Sequence, residues 1–313
     1  MELEHDMSLP IEETIAHLRN SANPLRSSRL IELSNLDSEE LGLFEQAWVA
    51  IEPKRRRQIV YRLVELAEDN FELDFDNIFR NCLKDQDAEV RCKAIEGLWE
   101  NEEPSLVNPL VNLLEDDSSE KVQAAAATAL GKFALLAERE KLRSCHKSKI
   151  CQALLTVIDD ESKPIEVRRR ALEAASPLSL PQVNRVIMEA YQSRNPKLKV
   201  SAIYAMGRNC DLSWLPVLLK ELASADAETR YEAVVACGGL GEEEAVPRLI
   251  ELINDPDTDV WRVAIQALGE IGGSEAKGCL EECLNSPSGL IRQAAEQALR
   301  ELETWEDPLS FRI

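Results

Sequence analysis

At 313 residues and a formal net charge of −21, the chain is too acidic to grip nucleic acid over its whole surface, and its 44% hydrophobic content excludes a disordered polymer. Only 5% of residues are aromatic, so Ala and Leu carry the apolar content, which suits closely packed helices better than a β-sandwich. The opening MELEHDMSLPIEET is acidic and polar, charges interrupt every apolar stretch, and eight cysteines show no paired spacing; a soluble cytoplasmic protein with reduced thiols, no signal peptide and no membrane span is expected.

In chain order, residues 1–57 read as an N-terminal helical cap. Three amphipathic helices are expected there, over 10–19, 25–36 and 38–51, the last capped by Asp37 or Ser38. The run Lys54-Arg55-Arg56-Arg57 is one of three basic clusters, with Arg168-Arg169-Arg170 and the stretch from Arg139 to Lys149. Solvated helix ends are the favoured explanation of all three, over a local basic patch. Residues 56–68 form a degenerate first repeat helix, because Leu63 falls 31 residues before Ala94.

From 58 to 303 the chain is a repeat array. An alanine recurs at Ala94, Ala126, Ala171, Ala202, Ala233, Ala264 and Ala295, with steps of 32, 45, 31, 31, 31 and 31. Four residues before each anchor stands Val90, Val122, Val167, Leu198, Thr229, Val260 or Ile291; four after stands Leu98, Leu130, Ala175, Met206, Cys237, Leu268 or Leu299. Positions i, i+4 and i+8 share one helix face, and the small central residue lets a neighbouring helix approach. Seven residues before the anchors, Asp87, Ser119, Asn195, Asp226, Asp257 and Ser288 are N-cap types, while Pro164 is not. Gly131, Gly207, Gly238 and Gly269 are expected to end these helices.

A second helix follows in each unit, over 105–115, 213–222, 243–254 and 274–284, with Pro109, Pro216 and Pro247 in first turns, where a lost donor costs least. The long step marks an insertion at about 132–150, expected as a longer helix pair, 124–136 and 146–158, around a basic loop. After residue 303 the tail, with Trp305, Leu309, Phe311 and Ile313, is expected to fold back as a C-terminal cap.

The pattern D-x-D-x-x-V-[RW]-x-x-A-x-x-x-L-[GW] stands at 85–99 and 255–269. It resembles the short HEAT-like repeat of phycobilisome-lyase-type (EZ-HEAT-like) and related bacterial HEAT proteins, over roughly residues 71–302. The resemblance implies an all-α fold, an α-solenoid of stacked HEAT-like helix pairs. It also implies a right-handed superhelix whose second helices line the concave side.

Chemistry is sparse. HEAT-repeat hydroxylases that bind iron carry His-Glu dipeptides, and none accompanies His5, His17 or His146. Cys145-His146 are adjacent on a helix and point about 100° apart, so they do not form a nucleophile–base pair. Cys279 and Cys283, at i and i+4, supply two of the four ligands a structural zinc needs and read as buried apolar thiols. No phosphate-binding glycine loop is present. No catalytic residue, metal or cofactor is assigned.

The expected function is non-catalytic protein binding through the concave face, to a partner with a basic patch. Candidate contacts are Asn112, Arg185, Glu189, Lys220, Arg248, Glu251 and Glu282 on second helices. Trp261 joins them, in a column where sister repeats carry Arg91, Arg168, Lys199, Arg230 and Arg292, with packing on a neighbouring repeat as its favoured role. Two alternatives stand beside this. One is bilin lyase or isomerase-like handling of a chromophore on a carrier protein; the other is nucleic-acid binding through the 139–170 basic stretch.

Overall fold

The structure is a computed structural model and describes residues 11–306, with side chains as far as Glu303. Every regular element among the described residues is a helix, and the fold is an all-α solenoid of paired helices. It falls into two compact units. The first runs to Phe133 and takes in Ser144–Ala153; the second comprises Ala134–Arg143 and the chain from Leu154 onward.

The first unit holds α1 (Ile11–Arg19), α2 (Ser27–Ile31), α3 (Ser38–Trp48), α4 (Pro53–Asp69), α5 (Asp76–Cys82), α6 (Ala88–Gly97) and α7 (Val107–Asp116). Asp37 starts α3 with a reciprocal capping box: its carboxylate accepts from the Glu39 and Glu40 amides while Glu40 accepts from the Asp37 amide. The helix expected over 25–36 shrinks to five residues. Asn35, at φ +55°, turns the chain left-handed and donates its N–H to the Asp74 carbonyl at 2.8 Å, so the helix cannot continue to Leu36. The core gathers Phe44, Phe75, Phe79, Ile59 and Leu63.

The basic run at the start of α4 is not a solvated helix end. Arg55 and Arg56 are buried, at 4% and 7% exposure. Arg56 Nε lies 3.3 Å from Asp85 Oδ2, which also accepts from Trp48 Nε1 at 2.7 Å. Aliphatic arginine stems pack while the heads find carboxylate or carbonyl partners.

The boundary between units passes through α8 (Glu120–Glu138) and α9 (Ser144–Asp159), the pair expected at the insertion, each longer than its sequence estimate. The turn between them uses Glu140 at φ +59°.

The second unit continues with first helices α10 (Ile165–Ala175), α12 (Pro196–Asn209), α14 (Ala227–Leu240), α16 (Thr258–Ile271) and α18 (Gly289–Glu306). Between them come α11 (Pro181–Tyr191), α13 (Leu215–Glu221), α15 (Val246–Glu251) and α17 (Gly273–Cys283). Each first helix packs on the next, and the second helices pack against them. All seven anchor alanines are fully buried. Asp87, Asn195, Asp226 and Asp257 accept N-cap hydrogen bonds, and Ser288 Oγ accepts weakly from Ile291 N at 3.5 Å. The described residues include the start of the tail as the end of α18; the expected cap at 307–313 lies outside them.

The four glycines expected to end helices do not. Gly131, Gly207, Gly238 and Gly269 all lie inside helices. Three of them mark close helix crossings. A Cβ on Gly207 would sit 2.6 Å from Ala236 Cα, one on Gly238 3.1 Å from Ala267 Cβ, and one on Gly269 3.0 Å from Ala298 Cβ. The true helix ends lie a few residues later, at Cys210, Gly241 and Gly272, all with positive φ and 31 residues apart.

Candidate partner-binding surface

Second helices are short, and their starts are set by local chemistry. Asp211 accepts from the Ser213 amide ahead of α13, and Pro216 and Pro247 occupy first-turn positions of α13 and α15. This fixes which side of each helix is buried: Leu215 and Leu218 on α13, Val246 and Leu249 on α15. Lys220, Arg248 and Glu251 are left exposed, and so are Arg185 and Glu189 on α11 and Glu282 on α17. Glu189, Lys220, Glu251 and Glu282 succeed one another at 31-residue steps, so they hold one register position in four successive repeats. Asn112 holds the same position on α7 in the first unit and is exposed there.

The charges on this face are loosely engaged. Arg185 donates to Glu189 at 2.7 Å and to Asp159 at 2.9 Å, with its side chain 46% exposed. Arg248 reaches Glu251 at 3.4 Å, both well exposed. Lys220 comes only within 4.0 Å of Glu221, which is held instead by Lys199 at 2.8 Å and by the Tyr191 hydroxyl at 2.6 Å. Burial opposes the charge on Glu221, but those two donors outweigh it and hold the carboxyl below its usual range. Exposed pairs such as Arg248–Glu251 contribute at most about 1 kcal/mol and exchange readily for other partners.

Between α13 and α15 the surface opens into a cleft of about 340 Å³. Its apolar lining comes from Leu219, Leu222, Leu252 and Pro256, and Arg248 and Glu251 also line it. The candidate residues Arg248 and Glu251 are thus brought together at a concavity. Trp261 is half-buried on α16 and is not among the lining residues.

The charged column around Trp261 has a structural role that its spacing did not reveal. Arg91 Nε and Nη2 donate to both Asp117 oxygens at 2.7 Å, and Nη1 donates to the Asp85 carbonyl at 2.6 Å. Arg230 repeats this with Asp255 at 2.8 Å and the Ser224 carbonyl at 2.9 Å. Each arginine ties the turn before its own helix to the turn of the next repeat. Where Trp261 replaces the arginine, the next turn carries Ser286 in place of the aspartate. The legible signal was an Arg followed 25 or 26 residues later by D-x-D or D-x-S.

In the basic stretch, Arg169 and Arg170 both pair with Glu166 and Glu173 on their own helix, and Arg168 Nε donates to the Ile158 carbonyl at 3.0 Å. Arg139, Lys141 and Arg143 are exposed. All eight cysteines are free. Burial, then the neighbouring Cys283, pushes the Cys279 thiol up to about 11, so it stays protonated at neutral pH. Among the described residues, no group of three or more His, Cys, Asp or Glu side chains is placed to hold a metal, and no helix is long and apolar enough to cross a membrane.

The sequence profile of HEAT repeats matches residues 77–154 and 215–300, more than half of the chain. Among solved structures, Escherichia coli YibA is similar with a TM-score of 0.50 and 16% identity, over 90% of this chain and 98% of that one. An engineered protein aligns with 94% of this chain and 88% of its own, at 18% identity and a TM-score of 0.41. Human deoxyhypusine hydroxylase in complex with glycerol covers 94% of this chain and 96% of its own, at 17% identity and a TM-score of 0.36. At these identities the likeness speaks for the fold alone. No curated protein matches the chain.

Proposed function

Because this chain belongs to the HEAT-repeat family, we propose that it is a non-catalytic protein-binding scaffold that uses the second-helix face of its second unit. The observation that carries this is the cleft between α13 and α15, where an apolar lining meets Arg248 and Glu251. An apolar centre with a polar rim is the anatomy of protein interfaces. Three of the four residues at the shared register position are acidic, Glu189, Glu251 and Glu282, so the partner is expected to present basic side chains. The profile match is to HEAT repeats in general and does not select the lyase branch, and the carboxylates paired with Arg169 and Arg170 weigh against an anionic polymer along that helix. Free cysteines support a reducing, cytoplasmic setting.

The test is affinity capture with the wild-type chain and with a Glu189→Lys, Glu251→Lys, Glu282→Lys variant, at low and moderate salt, read by mass spectrometry. All three side chains are exposed, so the variant is expected to fold. A stoichiometric protein held by the wild type at low salt and lost in the variant supports the proposal. A protein captured equally by both places the contact elsewhere. Recovery of a pigment or nucleic acid without protein overturns the scaffold role.

A further inference from the structure

A second concavity lies in the first unit, remote in sequence from the candidate surface. The 20–25 loop and α4 enclose an open cleft of about 790 Å³. The loop is pinned by Ser21 Oγ, which donates to Glu52 at 3.2 Å, and by a 3.1 Å hydrogen bond between His17 Nε2 and the Pro24 carbonyl. In a strongly acidic chain, this cleft is lined by four cations, Lys54, Arg55, Arg57 and Arg62, against two carboxylates, Glu65 and Glu89. Both carboxylates are already engaged, Glu65 by Arg62 and Glu89 by Arg57. Among the described residues no ion pair engages Lys54 or Arg55.

Arg55 is the informative member. Its side chain is buried, its Nε donates to the Leu18 carbonyl at 3.2 Å, and its Nη2 has no hydrogen-bond partner. A buried guanidinium without a counter-charge is costly and calls for an anion. The same place holds the start of α4, a 17-residue helix. Glu52 at its N-cap supplies no side-chain acceptor, and Pro53 follows, so the first N–H groups, those of Lys54 and Arg55, lack intrahelical partners. The first turn of α4, with Lys54 and Arg55, is thus part of the cleft lining, and the positive end of the helix dipole favours an anion there.

We propose that this cleft binds a phosphoryl group carried on an organic moiety. Several donors arriving from a helix end and from guanidinium and ammonium groups suit a tetrahedral oxyanion with three free oxygens. The cleft is much larger than a phosphate, and Tyr61 in its lining gives the attached group a surface. The site is independent of the scaffold surface on α11 to α17.

The experiment is isothermal titration of the full-length chain at fixed ionic strength with phenyl phosphate, inorganic phosphate and benzoate. It compares the wild type with a Lys54→Gln, Arg62→Gln variant. Both of those side chains are exposed, and circular dichroism verifies that the variant is folded. Saturable one-to-one binding of phenyl phosphate, weakened about tenfold or more in the variant, is the expected result. Inorganic phosphate is expected to bind more weakly at the same site, and benzoate far more weakly. The proposal is overturned by absent saturable binding, by binding that the variant leaves unchanged, or by benzoate binding as tightly as phenyl phosphate. Inorganic phosphate binding as tightly as the monoester overturns the part that assigns the organic moiety.

Discussion

The two units differ in what holds successive helices together beyond the arginine–aspartate tie that both contain, Arg91–Asp117 in the first and Arg230–Asp255 in the second. In the second, α12, α14, α16 and α18 meet through small residues, glycine on one helix against alanine on the next, three times in register. In the first, that register position is held by Gly131 within α8 and, one repeat earlier, by Trp99, which is 61% exposed because α6 has already ended at Gly97. There the further cohesion is polar: Arg56 and Trp48 on Asp85, and Lys132 Nζ on the carbonyls of Leu98, Trp99 and Asn101. Regular repeats add close steric contacts to that tie. A repeat whose neighbour is not a copy of itself adds specific hydrogen bonds instead.

The largest effect is expected where that polar glue is most buried. Asp85→Ala removes the acceptor of Trp48 Nε1 and the counter-charge of Arg56, both inside the protein. Breaking one side of a buried pair costs about 3–5 kcal/mol. Glu65→Ala, which breaks the exposed Arg62–Glu65 pair, is expected to cost at most about 1 kcal/mol. Urea denaturation of both variants checks this. If they cost the same, buried ion pairs do not distinguish the first unit.

The second unit's steric contact is tested by one substitution at two glycines. Gly207→Ala drives a Cβ to 2.6 Å from the Ala236 backbone, which cannot yield as a flexible side chain would. A loss of about 1–3 kcal/mol is expected from overpacking. Gly278→Ala on α17 meets nothing within 4 Å and is expected to stabilise by about 0.5–1 kcal/mol through helix propensity. Opposite signs in denaturant midpoints would confirm that close approach, rather than backbone freedom, keeps glycine at 207.

Charge within the second unit adds a smaller, pH-dependent effect. Glu232 on α14 is half-buried, and burial, then Glu173 and Glu228, raises its carboxyl from 4.5 to about 7, with Arg169 opposing. The folded state holds this proton more tightly than the unfolded chain does. Its stabilisation is therefore complete below about 4.5 and is lost as pH rises through about 7. Glu232→Gln removes that dependence. Relative to the variant, the wild type is expected to lose on the order of 1 kcal/mol between pH 4.5 and 8, with solvent screening included. Melting temperatures of both proteins across that range read the difference directly.

What the sequence made legible follows the same division. The anchor alanines, the Asp and Asn caps and the prolines recur with the period, so the repeats could be located from residue types alone. The glycines were visible but misassigned, because a glycine near a helix end satisfies a C-cap rule and a close-packing rule equally. Only the distance from Gly207 to Ala236 decides between them. Arg91 and Arg230 showed only as members of a charged column, because their acceptors lie one repeat away. Arg55 and Arg56 misled for a related reason, since a basic run gives no hint that Asp85 and the Leu18 carbonyl await it. Of the candidate surface, the exposed register position was readable. The cleft at Arg248 and Glu251 was not, because its lining residues Leu219, Leu222 and Leu252 come from two adjacent second helices and the turns after them.

The smallest effect probes a departure from the period inside the regular unit. Cys210 ends α12 at φ +55° and ψ +24°, where the sister repeats place Gly241 and Gly272. A left-handed backbone costs a residue with a Cβ about 1–2 kcal/mol, which glycine avoids. Glycine in turn has more freedom to lose from the unfolded chain, offsetting about 0.5–1 kcal/mol of that gain. The Cys210 thiol gives little in return, since its sulfur lies 3.7 Å from the Gly207 carbonyl and 3.8 Å from that of Arg208. Cys210→Gly is therefore expected to stabilise by about 0.5 kcal/mol, and Gly241→Ala to destabilise by about 1 kcal/mol, in matched thermal melts. A Cys210→Gly variant that melts lower than the wild type would mean that the thiol at this helix end contributes more than its two long contacts imply, and that cysteine at this position does more than stand in for glycine.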